Sequence, residues 1–265
     1  MAGCSTVGHD LGMTKPEGPL ATTGALVTGA TSGLGRAVAV RLAAAGADVS
    51  LLGRSGQDLA EVAAEVTAYG VRAVPLAVDL ADSAALEGVV NRAAADLGRL
   101  DVLVNAAGTD VPGSAEALSL ADWERVVAVN LTAPFALTKA AMPHLRSGGS
   151  GLVVNISSVA GRRGWAGASA YCATKFALTG LTQALAAEGR EHGVRVCVLY
   201  PGAMSTSWGI FEPAQRRARS EVAGDERESL DPAVVADLIA WMVTAPGQPV
   251  LNEVIVTPLY EGGWP

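Results

Sequence analysis

Apolar residues along this chain fall into short, nearly continuous runs separated by longer stretches in which they recur every three or four positions. The runs at about 24–29 (GALVTG), 48–53 (DVSLLG), 72–78 (RAVPLAV), 101–105 (DVLVN), 151–157 (GLVVNIS), 194–200 (VRVCVLY) and 252–257 (NEVIVT) read as strands. They do not alternate with polar residues, which is the pattern of strands covered on both faces. The stretches near 34–45, 57–68, 82–97, 120–146, 169–191 and 231–244 read as helices, and Asp231–Pro232 supplies the last with an N-cap and a first-turn proline. Strand and helix alternate throughout, so the pattern predicts an α/β fold: a doubly wound parallel sheet of about seven strands with helices on both faces. No compositional break divides the chain. The expectation is one domain over 22–265 behind a flexible tail at 1–21. The polar, arginine-rich stretch 203–230 has the length of a lid.

Composition narrows the picture. Of 265 residues, 50% are apolar and 17% charged, enough for a large buried core and far from the composition of a disordered chain. The net charge of −7 argues against a nucleic-acid surface, with Arg162–Arg163 and "QRRARS" at 215–220 as local exceptions. No apolar run approaches the ~18 residues of a membrane span, and the N-terminus lacks the basic start and apolar middle of a signal peptide. A soluble cytoplasmic protein with no membrane partner is expected. Cys4, Cys172 and Cys197 form no C-x-x-C pair, and His9, His144 and His192 are scattered, so neither a disulfide framework nor a metal site is expected.

The first strand runs into "TGATSGLG" at 28–35, with glycines at 29, 33 and 35, and then into a helix. A glycine-rich strand-to-helix turn lets backbone approach a pyrophosphate, and the helix N-terminus offers free N–H groups. At the first such junction of an alternating chain, this predicts a dinucleotide site formed by Gly29, Thr31, Ser32, Gly33, Leu34 and Gly35. The second strand ends Gly53–Arg54–Ser55 and lacks the acidic residue that would bind an unphosphorylated ribose. Asp48 and Asp58 are poorly placed to replace it. Arg54 can fork onto a 2′-phosphate, so NADP is expected, with NAD as the alternative.

Together, "TGATSGLG", "NAAG" at 105–108, "NISS" at 155–158 and "YCATK" at 171–175 make the chain resemble the short-chain dehydrogenase/reductase family over about residues 22–258. The resemblance implies a Rossmann-type fold and an oxidoreductase moving a hydride between nicotinamide and a carbonyl or secondary alcohol. It makes Tyr171 the general acid/base and has Lys175 grip the nicotinamide ribose. Lys175 lies one helical turn from Tyr171, on the same face. At an effective dielectric of ~20, a unit charge ~4 Å away is worth about 4 kcal/mol, or roughly 3 pKa units, which would bring the phenol towards its working range. The family's serine lies thirteen residues before the tyrosine, which selects Ser158 and turns Ser157 to the opposite face.

By the same resemblance, Asn130 holds a relay water on its backbone carbonyl. Pro134, four residues on, has no N–H to bond that carbonyl. Asp79 and Leu80 meet the adenine, Asn105, Ala106, Ala107 and Gly108 pass the adenine ribose, and Pro201, Gly202 and Thr206 meet the nicotinamide. The family usually forms homotetramers or homodimers, and the Ala/Leu-rich 175–188 suits a helix–helix face. Arg162, Arg163, Trp165 and Trp208 are expected near a pocket for a small alcohol or ketone. The ending "NEVIVTPLYEGGWP" departs from that of the acyl-carrier-protein reductases. The alternative function is a non-catalytic dinucleotide sensor on the same fold, although such proteins typically lose the Tyr/Lys pair. A sugar epimerase of the extended branch is disfavoured by chain length and glycine spacing.

Overall fold

Strand β1 (Gly24–Thr28) lies inside the sheet between β2 (Asp48–Gly53) and β4 (Val102–Asn105), and every strand pair is parallel. In this computed structural model, which describes residues 18–206, 208, 229–245 and 250–261, β3 (Ala73–Ala77) flanks β2. On the far side follow β5 (Leu152–Ile156), β6 (Arg195–Pro201) and β7 (Glu253–Val256), giving the seven-stranded order β3-β2-β1-β4-β5-β6-β7. Strand order reverses between β1 and β4. In an open α/β sheet that reversal leaves a crevice at the carboxyl ends of the strands.

Because side chains alternate along each strand, the apolar runs feed two cores. Val27, Leu51, Val104, Val154 and Leu199 face α1 (Gly33–Ala44), α2 (Gly56–Thr67) and α7 (Pro232–Thr244), meeting Val38, Leu42, Val62 and Ile239. Leu26, Leu52, Leu103, Val153 and Val196 face α3 (Leu86–Leu97), α5 (Ala133–Ser147) and α6 (Ser169–Arg190), meeting Val90, Leu137, Ala141 and Leu185. Asp48, 4% exposed, accepts from the Arg72 backbone and guanidinium, tying β2 to the start of β3. Ser55 and Asp231 cap α2 and α7, accepting from Asp58 N and Ala233 N.

Two expectations need correction. The helix read at 120–146 is two helices, α4 (Leu120–Val127) and α5, joined by a π turn over Ala128–Thr132 in which Ala133 N–H reaches five residues back to Ala128 O. Pro134 removes a regular helical donor at this point, and the widened turn accommodates it. The segment 120–147 is long and apolar enough to cross a bilayer by composition, yet half of its most apolar window is buried inside this fold. The tail does not extend to residue 21: Leu20 is buried and its N–H donates to Ala45 O. Residues 1–17 lie outside the described residues, as does most of the expected lid. The lid's described ends are pinned together, Ser205 N donating to Leu230 O and Leu230 N to Ala203 O.

Candidate active site

A cavity of about 490 Å³ opens at the carboxyl ends of the strands. Its floor at one end is the β1–α1 turn. Gly29 has φ 65° and Gly33 φ 51°, and a β-carbon at Gly35 would run into the Gly29 carbonyl, so the turn can close only without side chains at these points. Backbone is therefore open to a ligand at the start of α1, where the helix dipole favours phosphate. Thr31, Ser32, Leu34, Arg54, Asp79, Leu80, Ala106, Ala107 and Gly108 continue the wall. Burial pushes the Asp79 carboxyl up, but hydrogen bonds from Ala81 N–H and Arg125 and the positive field of Arg125 and Arg54 outweigh it and hold the group below its ordinary value. Arg125 reaches it at 3.1 Å from α4.

The same cavity is lined by Ser158, Tyr171, Lys175, Pro201, Gly202 and Thr206, with the Thr206 side chain lying against Gly33 of the glycine turn. Strand β5 ends at Ile156, and the next two serines diverge. Ser157 Oγ donates to the Lys175 carbonyl at 3.1 Å, whereas Ser158 faces the cavity and its Oγ accepts from Ala160 N. Helix α6 carries Tyr171 and Lys175 on one side, 8% and 3% exposed. Lys175 Nζ donates to Ile156 O at 2.7 Å and lies 5.5 Å from the Tyr171 ring centre. Burial lowers the pKa of Lys175 to about 8. The Tyr171 phenol moves the other way from the sequence expectation. Burial pushes it well above its ordinary value, its hydrogen bond with Ser158 lowers it, and the nearby Asp110 carboxylate raises it again. In the chain alone, the lysine does not offset the desolvation of the phenol.

Two expected site residues stand behind the wall, not on it. Asn105 is buried in the sheet, its Nδ2 donating to Asn155 Oδ1 at 2.8 Å, and Asn155 in turn donates to Thr182 of α6. Asn130, projected by the π turn, clamps the residue after the NAAG turn. Its Oδ1 accepts from Thr109 N and its Nδ2 donates to Thr109 O, both at 2.9 Å, and Nδ2 also donates to Thr174 of α6 at 3.2 Å. Trp165 and Trp208 line the cavity as expected, and the Trp208 ring lies 5.3 Å from that of Tyr171 at 54°. Arg162 does not line it. Its guanidinium pairs with Glu253 of β7 and covers the Tyr200 ring at 4.5 Å. The sequence reading missed Arg125, Thr109, Val159, Met204 and Glu261, all on the cavity wall. Among the described residues, no cluster of His, Cys, Asp or Glu has a metal-binding arrangement.

This combination of sheet, glycine turn and Ser/Tyr/Lys end defines a dinucleotide-dependent oxidoreductase of one family. The family model described as short chain dehydrogenase matches residues 23–216, and the chain belongs to that family of NAD(P)-dependent oxidoreductases. It is 42% identical over 69% of its length to 2,5-dichloro-2,5-cyclohexadiene-1,4-diol dehydrogenase of Sphingobium indicum, covering 73% of that protein. It is 35% identical over 93% of its length to glycine betaine reductase of Emericella nidulans, of which it spans only 19%. The crystal structure of a metagenomic short-chain oxidoreductase in complex with NADP superimposes with a TM-score of 0.77 at 34% identity, covering 91% of this chain and 99% of that one.

Proposed function

We propose that the protein is an NADP-dependent dehydrogenase/reductase of small secondary alcohols and the matching ketones, with Tyr171 as its general acid/base. The observation that carries this reading is one cavity that joins a glycine-rich phosphate turn and Arg54 to Ser158, Tyr171 and Lys175. The residues present fit the cofactor. The Gly29–Gly35 turn and the start of α1 would hold its pyrophosphate, Arg54 its 2′-phosphate, and Lys175 and Thr206 its nicotinamide half. When bound, the cofactor supplies a hydride acceptor or donor at the nicotinamide ring. The protein does the rest. Ser158 donates a hydrogen bond to the substrate oxygen as charge grows there. Tyr171 takes the hydroxyl proton of an alcohol or returns it to a ketone.

Burial keeps the Tyr171 phenol protonated, the form that donates to a ketone oxygen, and also makes its proton harder to release. For the reverse direction the phenolate must be stabilised, and Lys175 and Ser158 are the groups placed to do so. Asn130 contributes by holding Thr109 and α6 in register. The aromatic walls Trp165 and Trp208 favour substrates with an apolar body over charged ones. A homodimer or homotetramer fits the exposed apolar residues Leu120, Phe135 and Phe176 on α4, α5 and α6. The test is nicotinamide absorbance on a panel of cyclic and open-chain secondary alcohols and ketones with both cofactors, comparing wild type with Tyr171→Phe. Cofactor binding with no turnover on any substrate would sink the enzymatic reading.

A further inference from the structure

The segment after β7 folds back across the end of β6. Gly202 N donates to Val256 O at 2.8 Å, and the next amide, Ala203 N, donates to Glu261 Oε2 at 2.8 Å. A β-carbon at Gly202 would collide with the same carboxylate and would sit 3.0 Å from Pro258, so the turn and the acidic side chain are in direct contact. Glu261 also lines the cavity, on the wall it shares with Pro201, Gly202 and Thr206.

We propose that Glu261 makes this site discriminate between the two redox states of its cofactor, tightening the oxidised form relative to the reduced one. The inference rests on the proposed function, which sets the nicotinamide against the Pro201–Thr206 turn. The oxidised ring carries a positive charge and the reduced ring none, while the phosphates are the same in both. A carboxylate at the turn repels the phosphates of both forms equally and attracts only the cationic ring. The ratio of the two affinities therefore isolates its effect. The Lys175 ammonium, which lines the same cavity, acts in the opposite sense, and Glu261 offsets it. For a partly exposed carboxylate the attraction is worth about two- to tenfold in that ratio, and salt weakens it.

The experiment measures dissociation constants for NADP⁺ and NADPH by calorimetry on wild type, Glu261→Gln and Glu261→Ala, at low and high salt, with thermal unfolding to verify folding. Glutamine keeps an acceptor for Ala203 N–H and removes only the charge. The expected result is an NADP⁺-to-NADPH affinity ratio that drops about two- to tenfold in Glu261→Gln, with a smaller drop at high salt. An unchanged ratio in Glu261→Gln overturns the proposal. A change confined to Glu261→Ala also overturns it, because the hydrogen bond and not the charge would then be responsible. Wild type that binds neither form would refute the cofactor reading and this proposal with it, an outcome distinct from an unchanged ratio.

Discussion

The Ser157 hydroxyl donates to the backbone carbonyl of Lys175, docking α6 onto the end of β5 one residue before Ser158 turns into the cavity. The two neighbours should therefore fail differently. Ser157→Ala removes one buried hydrogen bond while the Lys175 carbonyl keeps Thr179 Oγ1 as a donor, so it should cost about 0.5–1.5 kcal/mol in urea unfolding, with turnover within about threefold of wild type. Ser158→Ala should lower kcat by about a hundredfold and cost about 1–2 kcal/mol, losing its bonds to Ala160 N and to the Tyr171 phenol.

Tyr171→Phe removes one oxygen from a buried ring that keeps its contact with Trp208. Cofactor affinity and melting temperature should hold, while kcat falls by about 10²–10⁴. Steady-state kinetics beside calorimetric cofactor titration would check both halves.

Lys175 gives a stability signature of definite sign. Its folded pKa of about 8 lies below the ordinary 10.5. Below about pH 8 both states carry the proton, and burying the ammonium handicaps the folded state by a constant amount. Between about 8 and 10.5 the unfolded chain keeps the proton and the native chain has lost it, so stability rises with pH, by at most about 1.4 kcal/mol per unit. Urea midpoints across this window should climb in wild type relative to Lys175→Met. Parallel curves would contradict the buried-ammonium account.

Arg54 sits on the cavity wall where the second strand ends. Replacing it by Ala should weaken NADP⁺ binding by about 10- to 100-fold, the worth of a charge-assisted hydrogen bond, and leave NAD⁺ binding nearly unchanged. Equal losses for both cofactors would remove Arg54 from phosphate recognition.

Asn130→Ala strips three hydrogen bonds at once, two of them from the backbone of Thr109. A loss of about 2–3 kcal/mol in unfolding free energy is expected, with a raised KM for cofactor because the adjoining Ala106–Gly108 wall slackens. Asn130→Asp keeps an acceptor for Thr109 N but sets a buried carboxylate oxygen against the Thr109 carbonyl, so at neutral pH it should be at least as destabilising as Ala.

Much of this was legible in the sequence because apolar runs of four to seven residues can hardly be anything but covered strands, and the glycine turn and Tyr/Lys pair are local patterns. What escaped has a physical reason in each case. "NAAG" reads as one turn, yet side-chain alternation sends Asn105 into the sheet beside Asn155 while Ala106 to Gly108 come out at the edge. Apolar spacing cannot register a helix that widens by one residue, so the π turn at Ala128–Thr132 was invisible even though Pro134 hinted at it. Arg162 looked like a pocket cation because its partner, Glu253, lies far along the chain. Glu261 meets Ala203 across 58 positions, a contact that no local pattern announces.

The cavity wall draws on residues from Gly29 to Glu261, so a molecule lodged there fastens the first strand to the segment beyond the last. Its binding energy is then shared by the whole sheet, and each tenfold excess over its dissociation constant should add about 1.4 kcal/mol against global opening. A surplus of such a ligand would guard the folded sheet and its helices from proteases, and its removal would speed their digestion.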